Sequence, residues 1–382
     1  MRRMYPNHEL YIENQTISTM SDNVITSTPS TKTTNVVRSS SKITENEIAI
    51  SETIKQIPFF FLHFQPVINY KKFKIAEIDD EKFEKCKIVD DNKYCYLLQY
   101  NIPAQSTSFA DFFTHVRDLA SPMATSSKTT SSISPFTYKK LIAKIIQTFK
   151  TLMNTLTILD KQTLVHMNIT PHTILIQPDH SCVLTNFSQS FLLKNLNSER
   201  TPEVCERIKT RPPPNIYDSL EHHLLYYLLA KDQSSLSMSN IDEVVHRWHS
   251  GLSLSSFAKY INSDSITAAI RPLHSLINKP KNVIINALLS TSYRWNMYSL
   301  HIIYLQLLSC FSIYKKGQTQ SQPQSQTQSD KFIGDFSSIL LQTMFGEKRE
   351  DRDTVCSSVL DKVNNFLNSI TEQEWNDFFS AS

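Results

Sequence analysis

Glycine occurs four times in these 382 residues, at Gly251, Gly317, Gly334 and Gly346, and not once in the first 250. A loop that cradles phosphate brings several backbone N–H groups close to the ligand, which side chains at those positions would obstruct. No such loop is expected in the first 250 residues, whatever the fold.

Other classes fall away on composition. Basic residues number 39 and acidic ones 36, a net charge of +3, with no dense basic run, so no nucleic-acid partner is expected. The six cysteines (Cys86, Cys95, Cys182, Cys205, Cys310, Cys356) form no C-x-x-C pair. They read as reduced thiols of an intracellular protein, and no metal site is expected. The opening MRRMYPNHEL runs into polar sequence rather than an apolar signal core. The longest apolar stretch, LHIIYLQLLSCFSIY (300–314), is interrupted by His301 and Gln306. It falls short of the roughly 18–20 residues a bilayer span needs, so it predicts a buried helix and no membrane span.

Along the chain, residues 1–34 read as a loose, Ser/Thr/Asn-rich arm, with a short strand near NVV (35–37). TENEIAISETIKQI (44–57) has a Thr-x-x-Glu capping pattern and helical apolar spacing. FFFLHF (59–64), KFKIAEI (72–78), KCKIV (85–89) and YCYLLQY (94–100) read as strands. A helix is expected from SFADFFTHV (108–116), then a polar loop over 121–135. The clearest helix is 138–161, with Leu141, Ile142, Ile145, Ile146, Phe149, Leu152 and Met153 as its stripe. From HHLLYYLLA (222–230) the chain is helical, apart from the Gln/Ser-rich linker 317–330. FSSILLQTMF (336–345) and TVCSSVLDKVNNFL (354–367) read as two last helices. The pattern gives an α+β fold in two parts, 35–103 rich in strands and 104–375 helical.

Residues 164–190, LVHMNITPHTILIQPDHSCVLTNFSQS, carry the most specific pattern. His166-Met167-Asn168 is followed by Thr170 and Thr173, a strand pair (174–176 and 182–187), and Asn186-Phe187-Ser188, twenty positions after His166. This spacing resembles the protein kinase catalytic loop and metal-binding segment, His-Arg-Asp to Asp-Phe-Gly, with the reactive residues replaced. WNMYSLHIIYL (295–305) resembles the start of the family's large buried helix, with Asn296 in place of Asp. PFFFLHF, HHLLYYLLA and NKPKNVII (278–285) resemble the divergent kinase-like proteins of large nucleocytoplasmic DNA viruses.

The resemblance implies a bilobal kinase-like fold with a small β-rich N-lobe and a larger helical C-lobe. It makes His166 and Phe187 structural, and Glu221 and Arg352 a structural ion pair. Arg38 in NVVRSSS and Glu47 stand for the lysine–glutamate pair, and Gln99 and Asn101 mark the hinge. In the degenerate catalytic positions, Asn168 is an amide that takes up no proton at neutral pH, where general-base help contributes about 10²–10⁴-fold. Thr170 lacks the lysine's charge, and Thr173 and Asn186 offer magnesium only neutral oxygens. Met167 replaces the arginine that reads activation-segment phosphates, so phosphate on Thr201 or Thr210 is not expected to switch the protein.

Plainer readings stand beside these. Arg38 and Glu47 also suit solvated surface charges. His222-His223 point about 100° apart on a helix and suit no metal. RPPP (211–214) fits a rigid loop as well as a polyproline ligand. The expected function is that of a pseudokinase, without a resident cofactor, which binds a kinase or a virion component in the host cytoplasm or virion. The alternatives are an active but divergent serine/threonine kinase that binds ATP, and a structural or virion protein of unrelated helical fold.

Overall fold

The computed structural model describes residues 10–12, 31–39, 41–74, 94–103, 105–120, 135–258, 261, 263–318, 328–345 and 356–373. The chain is α+β, rich in helix with small sheets. It opens with β1 (Leu10–Ile12), β2 (Thr31–Ser39), α1 (Lys42–Lys55), β3 (Phe64–Gln65), β4 (Asn69–Lys74) and β5 (Tyr94–Pro103). Next come β6 (Thr107–Ser108), α2 (Phe109–Ala120), α3 (Pro135–Lys161), β7 (Leu164–Val165), β8 (Ile174–Ile176), β9 (Cys182–Thr185) and β10 (Phe191–Leu192). Among the described residues eight α-helices follow: α4 (Arg200–Thr210), α5 (Leu220–Ala230), α6 (Met238–Ser253), α7 (Ser263–Ile270), α8 (Lys281–Ser290), α9 (Tyr293–Gln318), α10 (Gln328–Phe345) and α11 (Cys356–Ser369). The chain forms two compact units: Met1–Thr107 with Leu175–Ser190, and Ser108–Ile174 with Phe191–Ser382.

The first unit is built on an antiparallel sheet in the order β1-β2-β5-β4. β-Branched residues fill β2, whose register runs from Thr31 opposite Pro103 to Ser39 opposite Cys95. Val36, Tyr96, Leu98 and Tyr100 form one cluster with Ile48 of α1 and Val67. Ser41 caps α1, its hydroxyl accepting from the Thr44 N–H at 3.2 Å. Thr44, read from sequence as the cap, lies inside the first turn. Glu47 is therefore mid-helix and 1% exposed, free of a capping role.

Three further expectations change. Residues 10–12 and 31–34, read as part of a loose arm, are strands, with Leu10 opposite Val37. FFFLHF is not one strand: Phe60–Leu62 is a 3-10 turn, and only Phe64–Gln65 is extended, parallel to β9. Phe59 at φ 57° reverses the chain and leaves Phe59, Phe61 and Leu62 exposed. The low-complexity stretch is shorter than read, because α9 runs to Gln318 and α10 starts at Gln328. KCKIV (85–89), the end of KFKIAEI and the loop 121–134 lie outside the described residues.

The second unit is centred on α9, where Leu300, Ile302, Ile303, Leu305, Leu307 and Leu308 are all fully buried. A helix apolar on every side belongs inside, as the sequence predicts for 300–314. Against it lies the α3 stripe, of which Ile146 alone is only half-buried. The Tyr304 hydroxyl donates to Thr148 Oγ1 at 2.8 Å and its ring meets Phe149 edge-on. Left-handed turns in this glycine-poor chain fall to other residues, among them Met167, His180, Asn186, Asp232 and Asn278.

Candidate functional site

In the first unit, β2 leads directly into α1, and this short connection brings Arg38 to Glu47. The guanidinium is ion-paired to Glu47 Oε2, and the Tyr100 hydroxyl donates to Oε1 at 3.1 Å. Glu47 is thus a buried carboxylate held by a strand cation and a strand phenol, not a solvated surface charge. Tyr100 was not singled out in the sequence; its place opposite Thr34 on the α1 face sets its role.

The Asn186-Phe187-Ser188 stretch belongs to the same unit. Asn186 is left-handed at φ 62°, and its Oδ1 accepts from the Ser188 hydroxyl at 2.7 Å. Phe187 is fully buried and meets Phe64 edge-on at 6.0 Å. Asn46 of α1 donates to the carbonyls of Ser188 and Ser190 at 2.9 and 3.0 Å. Asn46 carried no pattern signal, yet it ties this stretch to the helix that carries Glu47. Gln99 and Asn101, expected at a hinge, lie inside β5 opposite Asn35 and Thr33. Gln99 also faces Asn69 of β4, so it is enclosed on both edges rather than presented at a strand end.

The loop 166–173 belongs to the second unit. His166 is fully buried, and its N–H donates to Asn296 Oδ1 at 2.9 Å. Asn296 Nδ2 donates in turn to the Leu164 carbonyl at 3.1 Å. The amide at 296 thus uses both of its functions, accepting and donating, on one short backbone stretch. The Asn168 N–H donates to His166 Nδ1 at 3.3 Å, which places the ring proton on Nε2. Thr173 closes the loop: its hydroxyl donates to the Asn168 carbonyl at 2.7 Å and accepts from the Thr170 N–H at 3.0 Å. Asn168 and Thr170 are half-buried.

Met167, left-handed at φ 60°, turns its carbonyl to Arg211 Nη1, 3.0 Å away. Arg211 also bonds Asp218 Oδ1 at 3.3 Å and His222 Nε2 at 3.2 Å. His222 Nδ1 lies 2.8 Å from the same Asp218 oxygen, and its ring stacks on Trp295. This geometry fixes a neutral imidazole that donates from Nδ1 and accepts at Nε2, since a second N–H would face the guanidinium. Burial holds His222 below its ordinary pKa, against the pull of Asp218, and Arg211 adds to the lowering. Burial pushes Asp218 up, but His222, Arg211 and the Asn215 N–H together hold it well below the usual carboxylate range. No sequence pattern announced Arg211 or Asp218. Arg211 opens RPPP, and its anchorage suits the rigid-loop reading of that stretch.

Glu221 is half-buried in the first turn of α5; Arg352, its expected partner, lies outside the described residues. The His223 ring Nε2 is 3.0 Å from the Asn215 carbonyl, so the adjacent histidines face different partners. Thr201 lies half-buried in the first turn of α4, and the Thr210 hydroxyl donates to the Glu206 carbonyl at 2.9 Å. Among the described residues no group of three His, Cys, Asp or Glu is disposed to hold a metal. None of the described helices is long and apolar enough to cross a membrane. In comparisons with known proteins, the chain matches no family model and no curated protein.

Proposed function

We propose that this chain is a kinase-like protein that does not transfer phosphate and acts by binding another protein. One observation carries the reading. The side-chain oxygens at the two positions where a kinase holds magnesium are engaged locally, Thr173 Oγ1 within its own loop and Asn186 Oδ1 by Ser188. A metal there would have to displace those bonds and would gain only uncharged ligands. The kinase-like part of the proposal is supported by the buried Arg38–Glu47 pair between a strand and the next helix, and by Asn296 on the His166 backbone. A bilobal kinase arrangement, a partner that is a kinase or virion component, and residence in a virus-infected cell or virion belong to the same proposal.

The test is a thermal-shift titration with ATP, with and without Mg²⁺ or Mn²⁺, beside a phosphoryl-transfer assay. A ligand at a hundred times its Kd stabilises by about 2.7 kcal/mol, a visible shift. The proposal expects no metal-dependent shift and no transfer. Transfer abolished by substitution at Asn168 or Asn186 would overturn it. The second reading, a divergent ATP-binding serine/threonine kinase, is favoured by the guanidinium–carboxylate pair, which keeps a cation where the family's lysine meets phosphate.

A further inference from the structure

Large apolar side chains that reach solvent are unevenly spread. Nine are exposed among the described residues, and six of them, Ile43, Phe59, Phe61, Leu62, Tyr70 and Tyr94, belong to the first unit. Three sit together in the turn after α1: Phe59, Phe61 and Leu62, at 70%, 59% and 51% exposure. The Phe61 ring meets those of Phe59 and Phe60 edge-on. The N–H groups of Phe60, Leu62 and His63 donate to the Ile57, Phe59 and Phe60 carbonyls at 3.2, 3.0 and 2.9 Å. These backbone donors are satisfied inside the turn, as contact with lipid demands. No Asp, Glu, Lys or Arg occurs from Gln56 to Ile68.

At roughly 200 Å² for a whole large side chain, the three exposures leave about 350 Å² of apolar surface. A stable protein dimer takes roughly 800 Å² from each partner, so a second copy is a poor match. Cations flank the turn instead. Lys55, at its foot, donates to the Ile68 carbonyl at 3.2 Å, and β4 carries Lys71, Lys72 and Lys74. Tyr70, Lys72, Lys74 and Tyr94 share the alternation of Tyr96, which packs against α1, so they lie on the sheet face that carries this helix. From Ser41 to Lys74 five lysines stand against Glu45 and Glu52, since Glu47 is paired with Arg38. Exposed rings beside a surplus of lysine suit the boundary between lipid headgroups and acyl chains.

We infer that the first unit docks on an anionic lipid surface, with Phe59, Phe61 and Leu62 entering the bilayer boundary and the flanking lysines meeting the headgroup charge. The inference does not rest on the kinase-like reading.

The test floats the full chain with vesicles of equimolar phosphatidylcholine and phosphatidylserine, beside vesicles of phosphatidylcholine alone. The expected result is flotation with the mixed vesicles, about 10-fold less with the neutral ones, and about 10-fold less for the double variant Phe59→Ser with Phe61→Ser. Both rings are exposed, so this variant should keep the parent's melting temperature, which separates lost docking from lost fold. A parent that floats with neither vesicle would overturn the inference. Flotation unchanged by the variant, or equal on both vesicles, would do the same. A parent that is dimeric in light scattering and becomes monomeric in the variant would overturn it too, by giving the turn to a second copy.

Discussion

Arg38–Glu47 in the first unit and Arg211–Asp218–His222 in the second meet the same problem, a carboxylate removed from water, with different kinds of partners. Glu47 has a guanidinium and a phenol, both reaching it from the sheet. Asp218 has a guanidinium, an imidazole and the Asn215 N–H, and its arginine reaches on to the Met167 carbonyl. The first arrangement sets where one helix sits. The second ties three separate stretches of chain, so its loss should be felt further away.

The largest expected effect breaks the network. Asp218→Ala leaves Arg211 and His222 buried without their anion and should cost about 4–5 kcal/mol in denaturant unfolding, with the 166–173 loop losing amide protection. Arg38→Met should cost about 3 kcal/mol, because Tyr100 still serves Glu47, which can also take up a proton. The double variant Arg38→Met with Glu47→Leu should return to within about 1 kcal/mol of the parent. A double variant as unstable as Arg38→Met alone would mean that the pair stabilises the fold on its own account.

Acid sharpens the comparison. His301 is fully buried in α9, and burial lowers its pKa to about 3 from the ordinary 6.5. His223 is lowered to about 4, also by burial. An unfolded chain takes up these protons first, so the stability they carry is complete above pH 6.5 and is lost as pH falls toward those values. Between pH 6.5 and 5, His301 alone should cost the second unit about 2 kcal/mol. Asp160 works against this: burial raises it to about 6, so its share is complete below its unfolded value of 3.8 and fades as pH rises through 6. Stability curves of the parent and His301→Leu should therefore diverge in slope below pH 6.5, with the variant the flatter. Parallel curves would remove His301 from the account. The smallest effect is expected from Asn46→Ala, about 1–2 kcal/mol from two lost bonds to backbone carbonyls, read as faster amide exchange around 188–190.

How much of this was legible follows from the distance over which each signal acts. The α3 stripe and the all-round apolar α9 are local periodicities, and both stand as read. FFFLHF misled because an apolar run is taken to be buried, whereas the left-handed Phe59 turns it outward. Thr44 misled because Ser41, three residues earlier, is an equally good cap and took the position. Arg38 and Glu47 were suggested by resemblance to kinases; nothing in their nine-residue separation implies burial. Arg211, Asp218 and Asn46 were invisible, because each depends on which segments the fold brings together.

Asn296 has a consequence for which side chains its position can accept. Its amide accepts from one backbone group and donates to the next, a task that no carboxylate can perform, since an aspartate would set its charge against the Leu164 carbonyl. Asn186 differs, because its oxygen only accepts from Ser188, which a carboxylate could do as well. An acidic residue at 296 would arrive among groups fitted to an amide.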